Sequence, residues 1–235
     1  MTAQRVVQAQ TILLAPMYLH NLLRHLPASE REFLVDRSEP RTYRRGETVY
    51  MRGERTGQIC LVADGLLRVV VDDDVTTDFI REGDFCPDLA MTDVGLHASC
   101  ALVAALPTSV YFIPAEDIWS ICRRHPSVAL EFLALIMNRV AGLRGHLHRI
   151  SSLPSETLIA CVLHELTSLA PVDKGGYDKR ISQGVIASYA SLSREIVNKT
   201  MRNLELRGLL WKDDRAVYLR MDARTTHLPP LPEES

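Results

Sequence analysis

The spacing of apolar residues divides the chain into stretches of different character. Residues 17–36 show helical spacing with a fresh start near Pro27, which predicts two short helices. From residue 42 to residue 114 the apolar residues form short β-rich runs, such as Leu66–Val71, that glycines interrupt. Runs of this length and density predict an antiparallel, sandwich or barrel-like domain.

A long helix is predicted to begin at Pro126. Its apolar positions alternate at spacings of four and three residues over three heptads, which is the pattern of a coiled-coil seam. We therefore expect a homodimer whose interface is formed by Leu133, Ile136, Val140, Leu143, Leu147 and Ile150. The alternative is a core helix that lies on its own domain. Pro154 and the serines before it end the helix and predict a hinge.

The remaining pattern predicts a helix-turn-helix followed by a hairpin. A helix over 155–169 and a polar loop over 171–180 precede two short helices, 183–190 and 193–207. The small Ala187 permits the second helix to cross the first closely, and Ser193 suits an N-cap. The hairpin pairs Leu210-Trp211 with Ala216–Leu219 around Asp213-Asp214.

Composition excludes several classes of protein. The chain has 235 residues, 46% of them hydrophobic, a net charge of -2 and five cysteines without a C-x-x-C pair. This argues against disorder, a disulfide framework and a zinc site. The start lacks a signal-peptide pattern and no apolar run approaches the roughly 18 residues of a membrane span, so we expect a cytoplasmic protein without a membrane partner. Catalytic motifs such as G-x-S-x-G or H-E-x-x-H are absent from the sequence, and we expect no enzyme.

The overall charge conceals a local excess of basic residues. Over residues 181–212 five basic residues face two acidic ones, a local charge of +3. The second helix of the helix-turn-helix carries polar residues on its exposed face. We expect double-stranded DNA to bind this face through Ser193, Arg194, Glu195, Asn198, Lys199 and Arg202. Arg and Lys can pair with guanine and a carboxylate with cytosine in the major groove. The alternative is a solvated helical face.

Several motifs resemble the cAMP receptor protein/FNR family of transcription regulators. In the second half these are Ile181-Ser182, Ile186-Ala187, Leu192-Ser193-Arg194-Glu195-Ile196-Val197-Asn198-Lys199, Leu204-Glu205 and Gly208-Leu209-Leu210. Upstream, Arg44-Arg45-Gly46-Glu47-Thr48-Val49-Tyr50, Gly53-Glu54 and Val62-Ala63-Asp64-Gly65-Leu66 resemble the opening of the family's β-roll, and Gly83-Asp84-Phe85 introduces its phosphate-binding cassette.

The resemblance implies an α+β fold and a set of domains. These are an N-terminal extension (1–16), an antiparallel β-roll sensory domain with flanking helices (17–125), a dimerisation helix (126–150), a winged helix-turn-helix (151–225) and a proline-rich tail (226–235). It also implies a dimeric regulator that reads a pseudo-palindromic operator with Arg194, Glu195 and Lys199. In an activator the loop over 171–180 would contact RNA polymerase.

Two positions in the helix-turn-helix depart from the family pattern. Lys199 stands where the family commonly has Arg. Lysine lacks the planar guanidinium that can donate two hydrogen bonds to one base. Ser191 stands where the turn commonly has Gly, which the fold tolerates if the backbone avoids positive φ at that residue.

The cassette departs further from the family's cyclic-nucleotide sensors. Those proteins hold the ligand with a Gly-Glu-Leu/Ala segment and an Arg-Ser pair, whereas Pro87 replaces the glycine here and Ala98 replaces the arginine. Proline donates no N–H, and the missing guanidinium forfeits a charge-assisted bond to the phosphate. We therefore expect no dependence on cAMP, with the candidate pocket residues being Asp88, Leu89, Ala90, His97 and Ser99.

Other cofactors are not expected either. The N-terminal extension has no cysteine for an iron-sulfur cluster, and the histidines lack a spacing diagnostic of haem ligation. A redox role for Cys86 or Cys100 remains open. The alternative function is a small-molecule or cyclic-nucleotide sensor whose ligand gates the affinity for DNA.

Overall fold

The computed structural model describes residues 23, 25–86, 89–92, 95–173 and 175–220. The predicted extension (1–16), most of the first predicted helix, Asp88 and the predicted tail (226–235) lie outside these residues. The chain divides into two compact units between His146 and Leu147.

The first unit combines short helices with antiparallel strands, as predicted. Its described helices are α1 (Ala28–Arg37) and α2 (Ala115–Arg124), and the long helix α3 (Pro126–Ser152) begins in it. Its strands are β1 (Glu39–Tyr43), β2 (Thr48–Tyr50), β3 (Gln58–Asp64), β4 (Leu66–Val71), β5 (Val75–Arg81), β6 (Phe85–Cys86), β7 (Leu89–Thr92), β8 (Gly95–Ala98), β9 (Ala101–Ala104) and β10 (Thr108–Pro114), with a short 3-10 turn at Asp72–Asp74.

The strands form two four-stranded antiparallel sheets, ordered β1-β10-β3-β6 and β2-β9-β4-β5, and a β7-β8 hairpin. Strands β3 and β10 are buried on both faces, so their side chains alternate between two cores. Cys60, Val62, Val110 and Phe112 face the interior of the roll. The residues between them, including Leu61 and Tyr111, pack with apolar residues of the helices.

The pattern missed strand β1. Four of its five residues are exposed and it includes Pro40, so it carries no apolar alternation. It pairs with β10 at the edge of its sheet, where proline is tolerated. The predicted run over 99–105 is also shorter than expected, because Ser99 and Cys100 form a bend before β9.

Among the described residues, one stripe of helix α3 packs against the roll. Val128 is buried, Phe132 and Leu135 pack against the same core, and the Phe132 ring lies edge-on to Phe85 at 5.2 Å. Further along, the Arg139 guanidinium lies 2.9 Å from the Asp78 carboxylate.

The predicted seam lies on a neighbouring stripe of α3 and is exposed in the single chain. Leu133 is 52% exposed, Val140 41% and Leu147 67%, and Ile136 and Leu143 are exposed as well, while Ile150 is half-buried. The described residues of the first unit leave this stripe uncovered, and its role as a dimer interface stays a prediction. The helix continues beyond residue 150 to Ser152, where Pro154 prevents further propagation.

Helix α3 is also long and apolar enough, by length and composition alone, to cross a membrane. The contacts of α3 account for part of this apolar composition, because one stripe packs against the sheet that contains β3 and β10. Arg139, on the same side of the helix, pairs with Asp78.

The described part of the second unit contains the end of α3, three further helices and one small sheet. The further elements are α4 (Ser155–Leu169), α5 (Gln183–Tyr189), α6 (Arg194–Leu206) and the strands β11 (Pro171–Val172), β12 (Gly176–Asp178), β13 (Leu210–Lys212) and β14 (Ala216–Leu219), paired in the order β11-β12-β14-β13. The stretch 171–180, predicted as a polar loop, contributes two of these strands. They were missed because each has only two or three residues, too few to show a period.

Two buried tyrosines in the first unit differ in how their hydroxyls are satisfied. Tyr111 is 1% exposed and its hydroxyl has no hydrogen-bond partner among the described residues, whereas the Tyr50 hydroxyl lies 2.9 Å from the Cys86 sulfur. Burial raises the pKa of Tyr111. An unsatisfied buried hydroxyl costs free energy of folding that a bonded one does not.

We expect Tyr111→Phe to raise the free energy of unfolding by about 1 kcal/mol, because it removes an unsatisfied polar atom. The matched change Tyr50→Phe removes a bonded hydroxyl from the same unit and should lower it by about 1 kcal/mol. Urea unfolding of the full chain measures both. A loss of stability in Tyr111→Phe comparable with that in Tyr50→Phe would contradict the assignment.

Candidate nucleic-acid interface

Helices α5 and α6 pack through a short turn, as the helix-turn-helix prediction requires. Ala187 is buried at the crossing, and the Leu192 N–H donates to the Ala187 carbonyl at 2.9 Å. Val197 and Met201 bury the inner face of α6. Ser193 caps α6, since its Oγ accepts from the Ile196 N–H at 3.2 Å.

The backbone of the turn differs from the expectation. Ser191 has φ of 53°, within the left-handed region, so the condition under which serine would be tolerated there is not met. A residue with a Cβ is strained in this conformation by roughly 1–2 kcal/mol, and glycine is not. The helices also end slightly inside the predicted limits, at Tyr189 and Leu206.

The outer face of α6 borders an open groove of about 600 Å³. Glu195, Asn198, Lys199 and Arg202, four of the six predicted DNA-binding residues, line it together with Gln183, Met201, Glu205 and Lys212. The other two, Ser193 and Arg194, are exposed at the start of the same helix. Sequence reasoning had not assigned Gln183 or Lys212 to a site, although the hairpin prediction had placed Lys212 close after α6.

Ion pairing leaves only part of the local basic charge free. Glu205 lies 2.5 Å from the Lys212 ammonium, and Glu156 pairs with Arg207. Among the described residues, the remaining basic side chains of the stretch make no ion pair, and all of them lie on α6: Arg194, Lys199 and Arg202. The positive charge available to a ligand is thus concentrated on the exposed face of α6.

Arg194 does not extend freely into solvent. Its guanidinium folds back across the backbone of Gly184 at the start of α5, where a Cβ added to Gly184 would lie 2.9 Å from both Nε and one terminal nitrogen. The absence of a side chain at Gly184 therefore leaves the room that the guanidinium occupies.

The hairpin of β13 and β14, which is the wing, lies beside the groove, and hydrogen bonds stabilise its turn. The Asp213 carboxylate accepts from the N–H groups of Arg215 and Ala216 and from the Tyr218 hydroxyl, at 2.7–2.8 Å. These bonds, the two backbone donors first, lower the pKa of Asp213. Tyr218 also stacks on Trp211 across the hairpin at 5.5 Å.

A second set of bonds fixes the helix-turn-helix to the helices before it. Glu165 on α4 receives the Arg149 guanidinium on one oxygen and the Tyr189 hydroxyl on the other, each at 2.9 Å. Because Arg149 lies near the end of α3 and Tyr189 at the end of α5, one carboxylate connects three helices within this unit.

The predicted effector pocket is described only in part. Leu89 and Ala90 lie on β7, opposite Ala98 and His97 on β8, so the register brings the two cassette segments together. His97 is half-buried with Nδ1 3.3 Å from the Gly53 carbonyl, and Ser99 is exposed. Ala98 is buried, and its backbone accepts a hydrogen bond from Gly53 and donates one to Glu54. Its methyl side chain offers no polar group to a ligand.

The cysteines of the roll lie in an apolar environment. Cys60, Cys86 and Cys100 belong to the interior core, and burial raises the pKa of Cys60 to about 12. A thiol with this pKa is protonated at neutral pH and is a poor nucleophile. Within the described ranges, no cluster of three or more His, Cys, Asp or Glu residues is placed to bind a metal ion.

Comparison with known proteins supports the predicted fold. Residues 40–125 match the cyclic nucleotide-binding domain family. FixK2 from Bradyrhizobium japonicum superposes with a TM-score of 0.70 and 21% identity, over 80% of this chain and 95% of that one. The chain has the Crp/Fnr regulator fold. TTHB099, a CRP-family transcriptional regulator from Thermus thermophilus, shares the Crp/Fnr fold at a TM-score of 0.60 and 22% identity, over 76% of this chain and 91% of that one.

A third Crp/Fnr structure extends the match over the whole of the other protein. It is CLP from Xanthomonas campestris, a c-di-GMP-responsive global regulator, with a TM-score of 0.64 and 19% identity over 83% of this chain and 100% of that one. No curated protein matches the chain in sequence. The predicted α+β architecture of the Crp/Fnr fold is thereby confirmed.

The strained turn generates a stability prediction. Ser191→Gly should raise the free energy of unfolding by about 0.5–1 kcal/mol, because relief of the left-handed strain outweighs the added entropy of the unfolded chain. Ser188→Gly is the matched control, placed within α5, and should lower stability by roughly 0.5 kcal/mol. Urea unfolding of both variants tests this, and destabilisation by Ser191→Gly would refute the strain.

Proposed function

We propose that this protein is a sequence-specific DNA-binding transcription regulator that acts as a homodimer on a pseudo-palindromic operator. The observation that carries the proposal is the outer face of α6, where Arg194, Lys199 and Arg202 are exposed, without ion-pair partners in the described part of the chain, beside Glu195 and Asn198. DNA as partner agrees with a cytoplasmic location.

The chemistry of this face suits the major groove. A recognition helix presents its first turns to base edges, and Arg194, Glu195 and Lys199 stand in the first turns of α6. The guanidinium of Arg194 can donate two parallel hydrogen bonds to guanine, and Glu195 can accept from the amino group of cytosine. Lys199 and Arg202, further along, suit a base or a phosphate.

The exposed stripe of α3 supplies the second copy of this face. Leu133, Ile136, Val140 and Leu143 form a continuous apolar stripe that the described residues of the first unit leave uncovered. A parallel partner helix would cover it with a/d packing, and a two-fold axis along α3 would present two recognition helices to one DNA duplex.

The proposed regulator does not require cAMP. Ala98 and Pro87 remove the guanidinium and one backbone donor from the positions that would hold the cyclic phosphate. The match of residues 40–125 to the cyclic nucleotide-binding domain supports a second candidate, in which a ligand of the roll gates DNA affinity. The fold and the polar groove favour regulation over catalysis. If the protein activates transcription, the stretch 171–180 is the surface that would contact RNA polymerase.

Selection of bound sequences from a random DNA pool tests the proposal. We expect an inverted repeat whose half-sites lie about one helical turn apart, enriched equally with and without cAMP. Arg194→Ala should weaken binding to that sequence by about 1–3 kcal/mol and relax one base position in each half-site.

Arg124→Ala is the control, because this exposed arginine belongs to the first unit and pairs with Glu30 there. It should leave affinity and base preference unchanged. Recovery of no enriched sequence would contradict DNA binding, and enrichment only in the presence of cAMP would favour the ligand-gated alternative.

A further inference from the structure

We propose that Gly184 is a specificity-determining position, because its lack of a side chain leaves the space that the guanidinium of Arg194 occupies beside the start of the recognition helix, where it would read a G·C pair. The proposal rests on DNA binding being the function. It concerns a residue on α5, outside the face that lines the groove, whose effect acts through Arg194.

The geometry is a close approach of a side chain to a bare backbone. A Cβ on Gly184 would lie 2.9 Å from Nε and 3.0 Å from the central carbon of the Arg194 guanidinium. Ordinary contacts between heavy atoms lie near 3.5–4.0 Å, so alanine and guanidinium cannot both occupy these positions. The guanidinium end is the flexible partner and must move, while the helix backbone stays.

The importance of Arg194 follows from a comparison with the other exposed cations of α6. Among its exposed cations, Arg194 is the one in the first turn, which is the part of a recognition helix that reaches base edges. Lys199 is a point charge without a planar fork, and Arg202 stands later on the helix. Two-point recognition of guanine near the helix start therefore depends on Arg194 alone.

A guanidinium held before DNA arrives loses less conformational entropy on binding. The space beside the Gly184 backbone accommodates the guanidinium without an acidic partner, so no ion pair within the described residues has to break when Arg194 meets DNA. An ion pair would have ordered the side chain equally well, but breaking it would have weakened the interaction with DNA.

The decisive comparison is a double-mutant cycle on the selected operator. Gly184→Ala should lower affinity for that operator about tenfold and weaken the guanine preference, as a misplaced bidentate contact would. In an Arg194→Ala background the same change should have no further effect, because the side chain that it displaces is gone. Gly57→Ala, at an ordinary backbone conformation with open space around it, should leave binding unchanged.

Two further measurements separate positioning from folding and from the proposed function. The urea midpoint of Gly184→Ala should not fall, and in DNA-free protein a nuclear Overhauser effect should connect the Gly184 α-protons to the Arg194 side-chain Nε–H. Unchanged guanine preference in Gly184→Ala, an equal loss in the Arg194→Ala background, or absence of that effect would each overturn the proposal. Failure of the wild-type chain to bind DNA, with the Overhauser effect present, would overturn the proposed function instead.

Discussion

The organisation of this protein depends on a helix with more apolar surface than its own domain can cover. Helix α3 uses Val128, Phe132 and Leu135 against the roll, and Arg139 completes that side by pairing with Asp78. The adjacent stripe through Leu133 and Val140 has no counterpart in the described part of the first unit. In the proposed homodimer a second copy of the same helix would cover this stripe, and the two-fold axis would relate the two recognition helices.

One polar group connects the end of this helix to the helix-turn-helix. Glu165 accepts from Arg149 at the end of α3 and from Tyr189 at the end of α5, so the first helix of the helix-turn-helix is tied to the helix that would form the dimer. The two bonds are separate: movement of α3 alone would break the bond to Arg149, and movement of α5 alone would break the bond to Tyr189. A shift of α4, which carries the carboxylate, would disturb both bonds at once.

Periodicity predicted the elements that bury apolar side chains and missed those that do not. Strands β3 and β10, the helices and the wing hairpin follow from spacing, whereas exposed β1 and the two short strands over 171–178 carry too little pattern. At the site, residue type identified the exposed face of α6, but the positive φ of Ser191 and the contact between Gly184 and Arg194 arise from tertiary geometry. The missing arginine at Ala98 was readable directly, because it is a change of chemistry rather than of shape.

The most direct test of this account is the oligomeric state of a variant with a polar seam. Sedimentation should show a dimer for the wild-type chain and a monomer for the double variant Val140→Gln with Leu143→Gln, and footprinting should show two protected half-sites for the former and weak or no protection for the latter. Arg123→Gln, an exposed change on α2, should behave as wild type. A seam variant that remains dimeric and protects both half-sites would contradict the central role of α3.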